Sequence, residues 1–566
     1  MHFCFIYAIG ILFSLLAGFA GFWFCTIRTR SPLLYSSNFY KNLVLVLMVS
    51  YVIIFSILKD LTVLSHHSYL DYAVFLEYFF KLSRGNGLNS SIQGAAIPGA
   101  AHWFANHFTP LAYVYGALFK IWPSFQLINW LQTSMLASSA IILFCFAQRN
   151  LGRFSAGCFA AALLFNPSFQ YITLYEFEFL RFILPIGLVC LGVILTKDKT
   201  SWYVVIFACI MCLLVREDAA FFVAGIGMYL CLSSKTRWLG VAVVILAVLY
   251  LILMLKVVMP SFRTSGPSGH IAASWFESFG RTPWEIFGNI LHNPLAFAKH
   301  IFHPYKSVNY VMLLVPFSFV ALLAPRVLLI LVPPLGFLAM SGAYTHTSYM
   351  LYYIGPVFVV IVWATVFGTA SLSGWLEKNR KFLIRKIPFL YPATQDRIAF
   401  AILCSSIVCS IYFGPSPLSI QFWCKNFTVA PFRTTTFHVS RYHPTKHDEY
   451  VREIAKMIPN SASVSAEMAL LNDVYQCRIL YTFPWIEGAE YILLDKKNPR
   501  KTGIGTIPGS WDGIRLNPQF YYDWVEKRKD VYELIAEKNG VYLYRRKKDA
   551  VPYAQPMSAP NLDRMN

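Results

Sequence analysis

The chain alternates between long apolar runs and short polar segments from its first residues to about residue 413. Runs of about 20 apolar residues can cross the hydrocarbon core of a bilayer as helices. They are too irregular for a membrane barrel, whose strands alternate apolar and polar residues over about ten positions. The pattern predicts an α-helical polytopic membrane protein with about 12 transmembrane helices. The predicted spans cover residues 3–27, 43–64, 126–147, 154–171, 179–196, 201–215, 219–232, 238–258, 308–323, 326–341, 349–370 and 397–413.

The tail after residue 413 is charged and rich in tyrosine, unlike the apolar region before it. Residues 446–458 have helical spacing, and four short apolar runs are typical of strands. Those runs are 462–466, 479–483, 490–494 and 541–544. We therefore predict a transmembrane domain over 1–413 and a small α/β domain over 414–566. No glycine-rich phosphate loop precedes a helix in the tail, so no nucleotide site is predicted there.

Composition excludes several other classes of protein. Hydrophobic residues make up 57% of the 566 residues and charged residues only 13%, and the mean hydropathy is +0.51. Soluble domains carry about 25% charged residues, so a soluble enzyme, a disordered chain and a secreted disulfide scaffold are all excluded. The net charge of +20 comes from basic residues that lie mostly between apolar runs and in the tail. Membrane topology explains this distribution better than nucleic acid, which we do not expect as a partner.

The basic loops indicate how the chain is oriented, because cytoplasmic loops are enriched in lysine and arginine. Arg28, Arg30 and Lys41 follow the first span without an acidic residue between them. Loop 371–396 contains the densest basic cluster between two spans. Placing both loops in the cytoplasm puts both termini, and therefore the tail, on the outer side of the membrane.

Residues 66–125 are predicted to form a large external loop with short amphipathic helices. Residues 108–122 within this loop are apolar but short, and Pro110 and Pro123 bracket them. Proline disfavours an uninterrupted helix through such positions. Counting 108–122 as a span would also place most of the later basic loops outside. We therefore interpret it as a re-entrant or interfacial helix.

Ionisable residues gather at three of the predicted external segments. Asp71 and Glu77 lie in the first external loop. The next two external turns contain Glu176, Glu178, Arg181, Arg216, Glu217 and Asp218. Charged groups at the edge of the hydrocarbon often mark a functional cavity. The alternative, that short turns simply need polar residues, stays open for each acid taken alone.

Histidines and cysteines give weaker indications of a metal site. His102 and His107 flank an aromatic segment of the first loop, and His346 lies in a later external turn. A metal site needs several converging ligands, and no close-spaced histidine pair is present. We predict no cofactor and no metal, with a divalent cation left as an alternative. Cys424 and Cys477 in the tail could pair in an oxidising compartment.

A lipid-linked phosphosugar would fit these residues. Its phosphate needs a cation, for which Arg181, Arg216 and Lys81 are external candidates. Its acceptor hydroxyl needs a carboxylate base, and Asp71 lies a few residues after the second span. Helix capping is the alternative role for Asp71, since aspartate is a favoured N-cap.

Several short motifs resemble a bacterial family of polytopic membrane proteins known only as a domain of unknown function. The motifs are Tyr69-Leu-Asp71 through Gly85, His107-Phe-Thr-Pro110, Tyr175-Glu-Phe-Glu-Phe, Leu214-Val-Arg-Glu-Asp218, Ile458-Pro-Asn-Ser-Ala-Ser-Val and Glu490-Tyr-Ile-Leu-Leu-Asp495. That family looks related to the GT-C glycosyltransferases, which use polyprenyl-phosphate sugar donors. The resemblance implies a GT-C-like fold, a location in the bacterial inner membrane, and an extracytoplasmic C-terminal domain.

Three residues depart from the family pattern. Ala73 stands where the family usually has glycine, Glu77 where it tends to have glutamine, and Arg216 where it tends to have lysine. Arg216 keeps the charge but changes its geometry. Glu77 places a second carboxylate near Asp71, so either of them could be the base. Asp71 and Glu77 are therefore the candidate catalytic residues. The candidate substrate-binding residues are His107, Glu176, Glu178, Arg181, Arg216, Glu217, Asp218 and His346.

Two functions remain open on the sequence alone. The first is an enzyme that transfers a sugar from a polyprenyl-phosphate donor to an unidentified acceptor at the outer face, with inversion at the sugar carbon. The second is a non-enzymatic protein, either a transporter of lipid-linked sugars or a membrane scaffold whose tail binds a partner. A transporter would show internal repeats and interrupted helices, whereas acids gathered at one face favour the enzyme.

Overall fold

The computed structural model describes residues 2–24, 38–68, 70–97, 99–196, 201–264, 275–276, 279–280, 282–381, 394–427, 437–486, 488–498 and 518–550. Contacts divide the chain into two compact units. The helical unit contains Met1–Ser56, Trp130–Leu255 and Gly269–Val439. The mixed unit contains Ile57–Asn129, Lys256–Ser268 and Ser440–Asn566.

Helices dominate the described part of the chain. In chain order they are α1 His2–Phe24, α2 Phe39–Leu64, α3 Leu70–Ser83, α4 Ser91–Ala96, α5 Ala112–Ile121, α6 Phe125–Ala147, α7 Arg153–Phe165, α8 Pro167–Leu174, α9 Ile183–Leu195, α10 Trp202–Leu213, α11 Ala219–Cys231, α12 Arg237–Leu253, α13 Met259–Ser261, α14 Pro283–His292, α15 Pro294–Ile301, α16 Pro304–Leu314, α17 Pro325–Leu328, α18 Val332–Met340, α19 Gly355–Lys378, α20 Gln395–Phe413, α21 Ile420–Trp423, α22 Lys446–Ala455 and α23 Pro518–Lys527. Short 3-10 turns cover Trp103–Ala105, Phe179–Phe182, Val315–Phe317, Val320–Leu323, Leu329–Leu331, Tyr344–Thr347, Tyr352–Ile354, Val439–Tyr442 and Leu470–Asp473.

Five helical segments of the described chain are long and apolar enough to cross a bilayer. They are Phe39–Leu64, Phe125–Ala147, Arg237–Ser261, Tyr352–Lys378 and Gln395–Phe413. Seven further apolar helices are 10–17 residues long. The chain is thus a mostly helical membrane protein with several candidate spans, while the number of about twelve spans stays a prediction.

Three of the predicted spans are interrupted, and proline accounts for the breaks. The run 154–171 divides at Asn166 and Pro167 into α7 and α8. The run 308–323 leaves the helix at Val315 and passes through Ser318 and Phe319, both in the left-handed region with φ of 51° and 60°. The run 326–341 consists of α17, a 3-10 turn and α18, and two consecutive prolines open α18. Proline lacks the amide hydrogen that an uninterrupted helix requires.

Helix α5 lies inside the apolar stretch 108–122 and has ten residues. At 1.5 Å per residue it is about 15 Å long, roughly half the thickness of the hydrocarbon core. It packs on α3 at Gly116, where an added Cβ would lie 2.2 Å from Leu82 Cδ2. This close approach requires glycine.

The mixed unit contains a five-stranded sheet in the order β2-β1-β3-β5-β4. The strands are β1 Ser463–Ala466, β2 Ile479–Thr482, β3 Tyr491–Asp495, β4 Tyr532–Lys538 and β5 Val541–Arg546. Strand β1 pairs in parallel with β2 and β3, whereas β5 is antiparallel to β3 and β4. All four residues of β1 are buried, as expected for a central parallel strand.

The four strands predicted in the tail are confirmed, and the predicted helix 446–458 appears as α22, three residues shorter. Strand β4 was missed, since most of its residues are at least partly exposed and give no buried alternation. Strand β4 forms the edge of the sheet and contains a register shift between Leu534 and Ala536. Edge strands commonly carry such irregularities.

The predicted first external loop and the tail fold together in the mixed unit. Ser65 Oγ donates to the Arg441 carbonyl at 2.6 Å, and the Leu480 amide donates to Ser91 Oγ at 2.8 Å. Tyr475 donates its hydroxyl hydrogen to the Pro123 carbonyl at 2.9 Å. The compact unit therefore includes residues on both sides of the predicted boundary at 413/414, and the division into membrane and external domains stays a prediction.

Candidate functional site

The turn after α8 is built around the buried carboxylate of Glu178. Its Oε1 accepts the backbone hydrogens of Phe179 at 2.8 Å and Leu180 at 3.4 Å, which caps the 3-10 turn that follows. Such a cap satisfies backbone donors that have no partner inside the turn. Gln132 Nε2 also donates to the Glu178 carbonyl at 3.4 Å. These bonds fix the position of the carboxylate.

The turn between α10 and α11 holds Arg216 against two carboxylates. Its Nε donates to Asp218 Oδ1 at 2.9 Å and its Nη2 donates to Oδ2, which makes a bidentate pair. Its Nη1 lies 3.3 Å from Glu178 Oε1. Burial lowers the pKa of Arg216, but Asp218 and Glu178 outweigh burial and hold the pKa well above its ordinary value. Arg216 is a charged group that its own neighbours neutralise.

Arg181 has a different environment, although it is fully buried. Its Nη1 donates to the Tyr175 carbonyl at 2.9 Å and to Gln132 Oε1 at 3.3 Å, and both acceptors are neutral. Its Nε and Nη2 have no hydrogen-bond partner, and no carboxylate in the described part of the chain forms an ion pair with it. An unpaired buried charge costs several kcal/mol. Nε and Nη2 form the same edge with which Arg216 binds Asp218.

Aromatic rings connect the two arginines. The guanidinium carbons of Arg181 and Arg216 lie 5.6 Å and 5.8 Å from the Tyr352 ring centre. Arg181 also lies 5.0 Å from the Tyr175 ring centre, and Arg216 lies 5.8 Å from that of Tyr353. Cations within about 6 Å of an aromatic face are stabilised by the ring. We call Glu178, Arg181, Arg216, Asp218 and Tyr352 the arginine cluster.

His346 lies next to the arginine cluster. Its ring centre is 4.4 Å from that of Tyr353, and Nδ1 lies 2.7 Å from Ser341 Oγ. Burial first, and then the charges of Arg216 and Lys306, lower the pKa of His346 to about 3. The imidazole is therefore neutral at physiological pH and acts as a hydrogen-bonding group.

The structure thus brings together five of the predicted site residues: Glu178, Arg181, Arg216, Asp218 and His346. Glu176 and Glu217 are buried in the same two turns, with 7% and 4% of their surfaces exposed. Within the described ranges no three His, Cys, Asp or Glu side chains converge in a way that could hold a metal ion.

The two candidate bases, Asp71 and Glu77, lie on helix α3 in opposite environments. Asp71 is exposed in the first turn, where a carboxylate interacts favourably with the helix dipole. The helix begins at Leu70, so Asp71 lies inside the helix rather than capping a helix that begins near Tyr72. Glu77 is fully buried. Six residues apart on one helix, the two side chains point in different directions.

Glu77 is fully engaged in hydrogen bonds. Its Oε1 accepts from Lys81 Nζ at 2.5 Å and from the Ser91 amide at 3.0 Å, and the Ser91 hydroxyl lies at 2.5 Å. Its Oε2 accepts from Ser90 Oγ at 2.6 Å and from the Ile92 amide at 3.4 Å. A carboxylate offers about four acceptor positions, so Glu77 anchors the start of α4 and has no capacity left for an acceptor hydroxyl. Lys81, one of the candidate phosphate ligands, is already engaged in this ion pair with Glu77.

The remaining predicted residues have separate surroundings. His107 packs its ring 5.3 Å from that of Trp103 within the mixed unit. His66 contacts two tail carboxylates through both ring nitrogens, at 2.9 Å to Asp448 and 2.6 Å to Asp473. These two contacts hold His66 against the tail. Cys424 and Cys477 are free thiols.

Sequence reasoning did not identify Gln132, Tyr352 or Tyr353 as part of the site. Gln132 lies inside an apolar helix, and the two tyrosines lie in a stretch predicted as a span. The available signals were a polar amide inside a predicted span and a pair of tyrosines shortly before a glycine and a proline. Neither signal reveals a partner more than 40 residues away.

These features define a class: a polytopic helical membrane protein with a buried cluster of charged and aromatic side chains and a small mixed sheet. The chain belongs to the family described as "Predicted membrane protein (DUF2079)", whose model matches residues 61–535. No curated protein matches the chain.

Proposed function

We propose that this protein is a membrane glycosyltransferase that uses a polyprenyl-phosphate sugar as its donor. The observation that carries the proposal is the Nε and Nη2 edge of Arg181, which is buried and has no hydrogen-bond partner among the described residues. Two parallel N–H groups on one edge match two oxygens of a phosphate, the geometry in which arginine binds anions most strongly. The edge is buried, so neighbouring side chains must move for the phosphate to reach it.

The proposed reaction breaks the bond between the sugar carbon C1 and a phosphate oxygen. The acceptor hydroxyl oxygen attacks C1 from the opposite face, the configuration inverts, and polyprenyl phosphate leaves with the bonding electrons. Arg181 stabilises the charge that develops on the leaving phosphate. The proton of the acceptor hydroxyl goes to a carboxylate base. Of the two candidate bases of the mixed unit we propose Asp71, because Asp71 is exposed whereas Glu77 is saturated with donors.

The proposal includes a location in the bacterial inner membrane with the sheet on the outer side. The basic segments around α19 and α20 support this orientation. The proposed partners are membrane lipid, the lipid-linked donor and an unidentified acceptor.

A transporter of lipid-linked sugars is the second candidate. The interrupted segments 308–323 and 326–341 favour it, because secondary transporters often bind substrate at broken helices. The two functions differ in one outcome: an enzyme releases free polyprenyl phosphate, whereas a transporter returns the donor intact.

The test is a proteoliposome assay with the full chain and a panel of radiolabelled polyprenyl-phosphate sugars. Arg181→Lys keeps the charge and loses the bidentate edge, and Arg149→Lys changes an exposed arginine of the helical unit as a matched control. We expect Arg181→Lys to weaken donor binding by about tenfold or more, the loss of one charge-assisted hydrogen bond. Equal binding by both variants, or no binding by the unaltered protein, would overturn the phosphate site.

A further inference from the structure

The mixed unit contains a cavity that is partly lined by polar residues, none of which belongs to the arginine cluster. The cavity has a volume of about 240 Å³. At roughly 30 Å³ per molecule it could hold about eight waters, which is the size range of one small ligand. Its lining includes Val63, Ser124, Phe125, Arg452, Asn472 and Asp473.

Three lining side chains have unused hydrogen-bonding capacity. Asn472 is 4% exposed, and its Nδ2 donates to Ser68 Oγ and to the Ala469 carbonyl, which fixes the amide orientation. Its Oδ1 is buried without a hydrogen-bond partner. Asp473 uses Oδ2 to bind His66, and Arg452 uses Nη1 to bind the Leu64 carbonyl at 2.6 Å.

Within the described residues, Asp473 Oδ1 and the Nε and Nη2 groups of Arg452 have no other partner. A buried amide oxygen without a partner costs about 1–3 kcal/mol. A ligand that supplied a hydroxyl group would recover that energy.

The charges at the cavity cancel. Arg452 carries a positive charge. His66 is positive as well, because Asp473 and Asp448 outweigh burial and raise the pKa of His66 to about 9. Asp448 and Asp473 supply two negative charges, and both lie within 3 Å of His66. A neutral surrounding of this kind favours a neutral ligand over a phosphate or a metal cation.

We infer that this cavity binds a single neutral sugar ring. Vicinal hydroxyl groups of a sugar can donate to Asp473 and Asn472 and accept from Arg452. The C–H faces of the ring would pack on the apolar part of the lining, which includes Val63 and Phe125. Small-molecule sites commonly combine an apolar lining with a few polar groups that fix orientation. The inference does not depend on glycosyl transfer.

Saturation-transfer NMR on the full-length protein can test the inference, with glucose, galactose, mannose and N-acetylglucosamine as probes. A polyoxyethylene detergent is required, because glucoside and maltoside detergents present sugar head groups. We expect at least one sugar to give a saturable signal with a millimolar Kd. Arg452→Gln should raise that Kd about tenfold, as expected for the loss of about 1.4 kcal/mol.

Ser124→Phe fills the cavity without touching the His66 ion pairs and should abolish the signal. Arg478→Gln is the matched control, since Arg478 is an exposed arginine of the same unit. The absence of a saturable signal from every sugar would overturn the inference. So would a signal that Ser124→Phe leaves unchanged, or equal competition by inorganic phosphate.

Discussion

His66 joins the end of helix α2 to the tail through two ion pairs, so its replacement should change how the stability of the protein depends on pH. Both ring nitrogens contact carboxylates, Asp448 at 2.9 Å and Asp473 at 2.6 Å, and only 1% of the residue is exposed. His66→Gln keeps a polar side chain of similar size but cannot carry the charge. The variant therefore removes the proton-dependent part of the interaction.

The size of the effect follows from the pKa of His66. Burial lowers this pKa, but Asp473 and Asp448 raise it by more, to about 9 from an ordinary value of 6.5. That difference corresponds to roughly 3 kcal/mol of free energy. Because the folded protein binds the proton more tightly than the unfolded chain, the stabilisation is complete below about pH 6.5. It is lost as the pH rises towards 9.

The assay is the melting temperature of the full chain in detergent, measured by intrinsic fluorescence between pH 6 and pH 9.5. The melting temperature of the unaltered protein should fall by roughly 6–12 °C across this range, at about 2–4 °C per kcal/mol. His66→Gln should melt lower at pH 6 and show a smaller dependence on pH. His443→Gln is the control, because His443 is exposed in the same unit. Parallel curves for the unaltered protein and His66→Gln would refute the reasoning.

Three further predictions concern helix α3 and the orientation of the chain. Glu77→Ala should destabilise the protein by about 3–5 kcal/mol, because Lys81 and several buried donors lose their acceptor. Glu77→Gln should destabilise it less, and melting temperatures of the two variants at fixed pH will check this order. Asp71→Asn should change stability by no more than about 1 kcal/mol yet reduce sugar transfer on the order of a hundredfold, and near-normal turnover would exclude Asp71 as the base. A cysteine introduced at exposed Lys378 should be labelled from the cytoplasm and one at exposed Arg478 from outside, and the reverse pattern would invert the topology.

The sequence predicted the strands and helices that a short stretch of residues is enough to identify. The strands β1, β2, β3 and β5 are short runs of apolar residues between polar ones, and each was found within two residues of its position. Membrane helices were predicted from length and apolarity. Their predicted number of about 12 stays a prediction, because prolines interrupt mostly apolar runs such as 326–341. Strand β4 has only three consecutive apolar residues, 534–536, and most of the strand is at least partly exposed at the edge of the sheet.

The sequence predicted which residues belong to the candidate site, but not which of them contact one another. Charged turns identified Arg181 and Arg216, but each arginine has an acidic residue within three positions in the sequence. The sequence therefore does not distinguish the arginine that is neutralised from the one that is not. That difference depends on Asp218 next to Arg216, and on the neutral acceptors Gln132 and Tyr175 beside Arg181. Likewise, the pairing of His66 with the tail joins residues about 400 positions apart, and no short motif could have indicated it.

The measurement that most directly tests the proposed function is mass spectrometry of lipid extracts from a strain that lacks this protein. The strain is complemented with the unaltered chain, with Arg181→Lys, or with Arg149→Lys. If the protein consumes a polyprenyl-phosphate sugar, this lipid should accumulate in the deletion strain and in the strain complemented with Arg181→Lys. It should return to its normal level in the strains complemented with the unaltered chain or with Arg149→Lys. Identical lipid profiles in all four strains would contradict the account.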